Sequence, residues 1–359
     1  MSLNIKELLE EKQELDKKQY EIRKQAIQNQ HEDLLRRQAE VNASHSFTIA
    51  KLTPEQIKKL QNDNTQYLES AKNSAVFLNN SFKGVVPFFR KNLIFFGATT
   101  GSGKSTICGN ICYHTARQGK SALVITNEEV ITDIYNRITC LHKGWYYKNH
   151  DEFTEEQKET MNTAYEVWAD KITVLDDASN GVGGLTTTFE GIQSIFEKLI
   201  SDYETTGQHY EVVMLDYYQN VSSSSKSPTL EGWEVLKRLS GYLDQVKNRY
   251  PAPIVVLGQL KAIPADSTVP FKDRIEGFKG IQNVATCAIE VVAEPESQRT
   301  LWRTHKSRFS ASNGTTVLTG FDRGKYIEYS PEFANRIEMD KEKQKHTDLL
   351  KRVFDNKDE

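Results

Sequence analysis

The sequence predicts an α/β protein: a mainly parallel sheet covered on both faces by helices, extended at its end by a C-terminal β-hairpin and preceded by a helical N-terminal segment. Three observations carry this prediction. Short apolar runs alternate with helical periods from about residue 76. Beyond residue 285 the helical periods stop while strand-like runs continue. Residues 1–42 are dominated by Lys, Glu, Gln and Arg, with neither Gly nor Pro to interrupt a helix.

Taken in order, residues 1–75 form a charged helical extension, and over residues 1–42 its apolar stripe is thin enough to make an isolated helix marginal in water. Its bland reading is a solvated helix; its sharper one is a helix that docks on a neighbouring subunit or partner. A second helix within it starts at Thr53-Pro54-Glu55-Gln56, with Thr53 as N-cap, Pro54 as first helical residue and Gln56 as capping-box partner. Residues 76–330 form the α/β domain. Its strand candidates are 92–97, 121–126, 171–176, 211–217 and 254–258, with helices near 103–117, 188–203 and 230–249. Apolar strands separated by helices imply parallel pairing with both faces covered. Four short strands follow, at 287–292, 300–305, 315–321 and 326–329, with turns at Asn313-Gly314 and Arg323-Gly324. Residues 222–225 read as a loop, and residues 331–359 as a charged tail.

Composition narrows the function. Of 359 residues, 38% are hydrophobic and 26% charged, which suits a soluble globular protein. The apolar runs are too short to cross a bilayer and the first twenty residues hold no secretory signal, so no membrane partner is expected. Cys108, Cys112, Cys140 and Cys287 form no CxxC pair and read as free buried thiols of a reducing, cytoplasmic compartment, without structural zinc. A net charge of -3 argues against a protein that coats nucleic acid through its whole surface, since such proteins are usually basic, and leaves local basic loops for that purpose.

The strongest motif follows the first strand: Ala98-Thr99-Thr100-Gly101-Ser102-Gly103-Lys104-Ser105, running into a helix at Thr106. Glycines let backbone N–H groups curl around phosphates, and a helix N-terminus adds free donors and positive potential. Lys104 supplies charge for the β- and γ-phosphates of ATP, and the Ser105 hydroxyl ligates Mg2+. Ala98 stands where the strict pattern has Gly. An apolar strand ending in Asp216 places a carboxylate at the same sheet edge, where it would reach the magnesium. The strand 121–126 ends in Asn127-Glu128-Glu129. Either glutamate there would be placed to orient and deprotonate an attacking water, provided its strand neighbours the phosphate loop.

At this point the residues resemble the motor domain of DnaB-type, RecA-like hexameric replicative DNA helicases. Leu215-Asp216-Tyr217-Tyr218-Gln219 looks like that family's second nucleotide motif. Val124-Ile125-Thr126-Asn127-Glu128, with Arg137 nine residues on, is similar to the segment carrying its catalytic glutamate. Gly258-Gln259-Leu260-Lys261 resembles its strand ending in Gln, and His305-Lys306-Ser307-Arg308 its terminal strand with a Lys and an arginine finger. The resemblance covers roughly residues 76–330. It implies a RecA-like P-loop NTPase and selects Glu128 of the two glutamates. It also implies that Gln259 contacts the γ-phosphate and that Lys306 and Arg308 reach a neighbouring subunit's site. As partners it implies a homo-oligomer, a hexameric ring, together with single-stranded DNA. A loader or primase would bind through the N-terminal helix or C-terminal tail.

In such a ring the loops after Asp216 and Gln259 face the channel. Lys226 of the first and Lys261, Lys272, Arg274 and Lys279 of the second are the candidate phosphate contacts. Three functions stay open: an ATP-driven translocase or helicase, a RecA-like ATPase without unwinding such as a recombination mediator or packaging-type motor, and an ATP-dependent assembly factor.

Overall fold

The computed structural model describes residues 91–330 apart from 179, 180, 182, 224–231, 264–267 and 309–313, together with residues 24, 53–55, 57–59, 61, 62, 332, 336 and 339. The chain divides into two units, Met1–Thr65 and Gln66–Glu359. In the first, helix begins at Pro54 behind Thr53, whose carbonyl accepts the Ile57 N–H at 2.9 Å. The expected capping partner Gln56 lies outside the described residues.

The second unit runs β1 (Leu93–Thr99), α1 (Lys104–Arg117), β2 (Ala122–Thr126), α2 (Ile131–Lys143), α3 (Glu155–Asn162), α4 (Ala164–Trp168), β3 (Ile172–Leu175), α5 (Phe189–Thr206), β4 (Val212–Asp216), α6 (Gly232–Arg249), β5 (Ile254–Leu260), α7 (Phe271–Arg274), α8 (Ile281–Val284), β6 (Cys287–Glu294), β7 (Arg299–Ser307), β8 (Thr316–Asp322) and β9 (Lys325–Glu328). The nine strands make one sheet in the order β3-β2-β4-β5-β1-β6-β7-β8-β9. Pairing is parallel from β3 through β6 and antiparallel from β6 to β9.

The apolar runs are continuous because both faces of the parallel strands are buried. Alternate residues feed two cores. Ile94, Phe96, Val124, Met214 and Leu257 pack with Ile107 and Ile111 of α1 and Ile134 and Ile138 of α2. Leu93, Phe95, Leu123, Val213 and Val256 pack with Ile192 and Phe196 of α5 and Leu239 and Leu243 of α6. This is the period-2 consequence of the strand pleat. At the far side, Trp302 of β7 is fully buried, stands edge-on to Phe96 with centroids 5.8 Å apart, and donates its indole N–H to Thr319 at 2.9 Å. Arg323 and Gly324 both adopt positive φ, 51° and 86°, closing the two-residue turn between β8 and β9.

Helices α2, α3 and α4 and the short α7 and α8 are absent from the expected set, although Ile134, Ile138 and Leu141 repeat at helical spacing and are buried on α2. Strands β1 and β5 extend to Thr99 and Leu260, so Ala98 and Thr99 belong to the strand and the loop proper starts at Thr100.

Candidate functional site

Residues 100–103 turn between β1 and α1. Gly101 and Gly103 take φ 77° and 91°, a left-handed backbone open to glycine at little cost. The turn is pinned by the Ser102 N–H donating to the Thr99 carbonyl at 3.0 Å. No side chain among the described residues caps α1, and its first turn holds no acid. A fourteen-residue helix therefore presents its uncapped N–H groups at the end of a buried strand, as an anion site requires. Lys104 is nearly buried there, its ammonium 5.3 Å from the centre of the Tyr217 ring.

Asp216 ends β4 in full burial, and neither carboxylate oxygen has a partner among the described residues. Burial pushes its pKa up, Glu129 and Glu128 add to the rise, and Lys104 and Arg137 oppose it; the result is about 7. A buried carboxylate left unpaired costs several kcal/mol unless something charged meets it. A divalent cation held between this carboxylate and bound phosphates would meet that need. No group of three His, Cys, Asp or Glu able to hold a metal occurs among the described residues. A single buried carboxylate with a nearby hydroxyl is a donor set that suits magnesium, which takes one or two carboxylates, phosphates and several waters. Ser105, partly exposed at the start of α1, is the hydroxyl available to it.

The condition that the glutamate strand adjoin the phosphate-loop strand is not met: β4 and β5 separate β2 from β1. Glu128 and Glu129 come to the site by another route. Thr126 pairs in register with Asp216, and the Asn127 N–H donates to the Asp216 carbonyl at 2.9 Å. The Asn127 side chain then accepts from the Tyr217 N–H at 3.1 Å and donates to the Tyr217 carbonyl at 3.0 Å, locking the two strand ends together across a cis Asp216–Tyr217 peptide. Glu128 is exposed at the rim; Glu129 turns inward to Arg137 at 2.7 Å.

Gln259 lies on β5 opposite Ala98 and donates its side-chain amide to the Thr100 hydroxyl at 2.9 Å. Gln219 holds it from behind, donating to the Gln259 carbonyl at 3.1 Å and accepting the Gln259 N–H at 3.0 Å. The sequence assigned no separate role to Tyr217 or Gln219 and did not foresee the bond from Gln259 to the phosphate-loop residue Thr100, because each depends on contacts across the sheet. On the other side of the loop a cleft of about 440 Å³ is lined by Gly101, Gly103, Arg299, Phe321, Arg323 and Tyr326. Asn110 of α1 fixes its wall, donating to the Gly324 carbonyl at 2.8 Å and accepting the Tyr326 N–H at 3.1 Å.

Lys306 and Arg308 lie elsewhere. Ile94 pairs with Cys287, and Cys287 with Ser307, so both cations sit at the opposite end of the strands from Thr99. Five residues of strand separate the two levels, about 16 Å. Lys306 donates to the Gln282 carbonyl at 2.8 Å and Arg308 to the Asn283 carbonyl at 3.2 Å. Burial, then the charges of Arg308 and Lys247, lower the Lys306 pKa to about 8.

The expected strand contacts divide as well. Lys261, Lys272 and Lys279 are exposed, Lys279 pairing with Asp273 at 3.1 Å. Arg274 is buried and ion-paired with Glu290, so its expected role at a nucleic-acid surface is corrected to a structural one. Lys226 lies outside the described residues. Among those residues no helix is long and apolar enough to cross a membrane, and the four cysteines are free and buried.

Comparison with solved structures matches this architecture to ATPase domains. One structure that consists of an ATPase domain alone superposes with a TM-score of 0.62 at 12% identity, covering 76% of this chain and 99% of that one. A DnaB-like replicative helicase, solved in a study of its interactions with primase, gives 0.61 at 14% identity, covering 88% of this chain and 77% of that one. No protein-family model and no curated protein matches the sequence. The chain has the RecA-like fold of these proteins, and in this chain antiparallel strands follow the parallel sheet.

Proposed function

We propose that this chain is an ATP-hydrolysing ring motor that translocates on single-stranded DNA and unwinds duplex DNA, in the manner of replicative helicases. The observation that carries the proposal is the orphaned, fully buried Asp216 carboxylate beside an uncapped helix N-terminus bearing Lys104. The N–H groups of α1 and Lys104 take the β- and γ-phosphates, and the cleft walled by Phe321 and Tyr326 receives the nucleoside. Ser105 and Asp216 hold magnesium, which neutralises charge on the phosphates when bound. Glu128 at the rim orients the attacking water and takes its proton. Gln259, already touching Thr100, reports the state of the γ-phosphate to the loop bearing Lys261 and Lys272.

Lys306 and Arg308 stand too far from their own phosphate loop to serve it, which supports their acting on the site of the next protomer in a closed homo-oligomeric ring. The N-terminal helix and C-terminal tail are the segments through which a loader or primase would bind.

The burial of Arg274 leaves the second loop less basic than its sequence suggests, and this favours one alternative: a RecA-like ATPase that moves or assembles on a substrate without unwinding it. ATPase activity measured with strand displacement on a forked DNA separates the two. Lys104→Ala should abolish turnover with the fold retained; turnover equal to that of the parent would refute the phosphate site.

A further inference from the structure

The two glutamates after β2 are not equivalent. Glu128 is exposed, whereas the Glu129 side chain is 15% exposed and faces inward. One Glu129 oxygen accepts from the Arg137 guanidinium at 2.7 Å; the other, Oε2, is buried without a partner among the described residues. The turn bearing it is held by the Thr126 hydroxyl, which accepts the Glu129 N–H at 3.0 Å and donates to the Glu129 carbonyl at 3.2 Å. Thr126 is the residue in register with Asp216, whose two oxygens are also buried and unpartnered.

Arg137 is held as firmly. Its guanidinium lies 4.7 Å from the centre of the Tyr147 ring, and Tyr147 donates to Asp133 at 2.9 Å. The arginine stem crosses α1 at Gly109, where a Cβ would come within 2.8 Å of Arg137 Cδ. A glycine inside a helix costs about 1 kcal/mol against alanine. Here it makes the room through which Arg137 reaches Glu129. Glu129 Oε2 and Arg137 Nε are both buried without a partner among the described residues, and a carboxylate oxygen left open near an equally unpaired aspartate calls for an explanation beyond the ion pair.

Resting on the nucleotide site proposed above, we propose that Glu129, held by Arg137, is a second carboxylate of the divalent-cation site, accepting a hydrogen bond from a water bound to the cation that Asp216 ligates. Glu128 keeps its task at the rim. Arg137 is then a positioning residue, fixing one Glu129 oxygen so that the other points toward Asp216.

The test measures Mn2+ affinity of the full chain in the presence of ADP, by electron paramagnetic resonance, and in parallel the affinity for a fluorescent ADP in EDTA. Glu129→Gln should weaken Mn2+ binding on the order of tenfold or more, with metal-free ADP binding unchanged. Glu128→Gln, which removes a charge at the rim and no buried oxygen, should weaken Mn2+ binding less than Glu129→Gln does. Should the single change unfold the chain, Glu129→Gln with Arg137→Gln removes both charges of the pair and should show the same loss. Parent-like Mn2+ affinity in the folded variant overturns the proposal, and so does an equal loss of metal-free ADP binding, which would mean general collapse of the site. Lys104→Ala distinguishes the two levels of argument. If it loses metal-free ADP binding while Glu129→Gln holds Mn2+ normally, only the role of Glu129 falls. If it binds ADP as the parent does, the nucleotide site itself falls.

Discussion

Asp216 and Glu290 are both carboxylates buried in the same sheet, on β4 and β6, and the sheet treats them in opposite ways. Glu290 is enclosed by partners: the Arg274 guanidinium, the His305 ring nitrogen at 3.0 Å and the Arg303 guanidinium at 3.8 Å. Burial pushes its pKa up, but the hydrogen bond from His305 and the charge of Arg274 outweigh that and hold it below the usual carboxylate range. Phe271 stacks flat on His305 with centroids 4.2 Å apart, which completes the enclosure. Asp216 has no such company and sits at about 7. Similar burial with unequal satisfaction separates a carboxylate that holds the fold together from one that the proposed function assigns to a ligand. Lys306 and Arg308 are an intermediate case, bonded to neutral carbonyls of α8.

The comparison is broken most directly at Asp216. Asp216→Asn should cost turnover about a thousandfold or more, several kcal/mol of transition-state stabilisation. The same change should stabilise the metal-free protein. Since the folded pKa is raised above the ordinary value, the folded state binds more protons between the two, and stability falls as pH rises toward 7. Asn removes that penalty, so the melting temperature at pH 8 without metal should rise by several degrees; a lower one would show that Asp216 is satisfied after all.

Arg308→Ala should lower turnover of the assembled protein by about a thousandfold. Mixed with the parent, it should depress activity more steeply than its share of the mixture. Activity strictly proportional to parent content would argue against a finger supplied between protomers.

At Glu290 the expected loss is in stability. Glu290→Gln leaves Arg274 buried without its counter-charge and should cost about 3 kcal/mol in denaturant unfolding at pH 7. Because this group's pKa is lowered, its contribution is present above the ordinary carboxylate value and lost as pH falls through the folded one. The parent should therefore lose its advantage over the variant in acid.

The smallest effect concerns Lys306, which carries its charge only below about 8. ATPase of the assembled protein should decline several-fold as pH rises through that value, and Lys306→Arg should flatten the decline, arginine remaining charged throughout. A decline identical in both proteins would assign it to another group. Stability runs the other way, since a lowered lysine pKa lets the unfolded state bind more protons between about 8 and 10.5, and stability rises across that window.

What the sequence determined by itself was local. Strand cores, the start of α1 at Lys104, the placement of Asp216 at a strand end and the run of short strands after residue 285 are written in apolar periodicity and in Gly-Ser-Gly-Lys-Ser, because each depends on neighbours a few residues away. Tertiary structure decided the rest. Nothing along the chain distinguishes an inward Glu129 from an outward Glu128, or an Arg274 spent on Glu290 from a lysine left at the surface. Those outcomes hang on partners 8 and 16 positions away, and on a strand order that inserts β5 between the phosphate loop and Asp216. A charged side chain's role follows from which opposite charges the fold brings within reach and which it withholds. That is a property of packing in three dimensions, to which residue type and spacing contribute only the candidates.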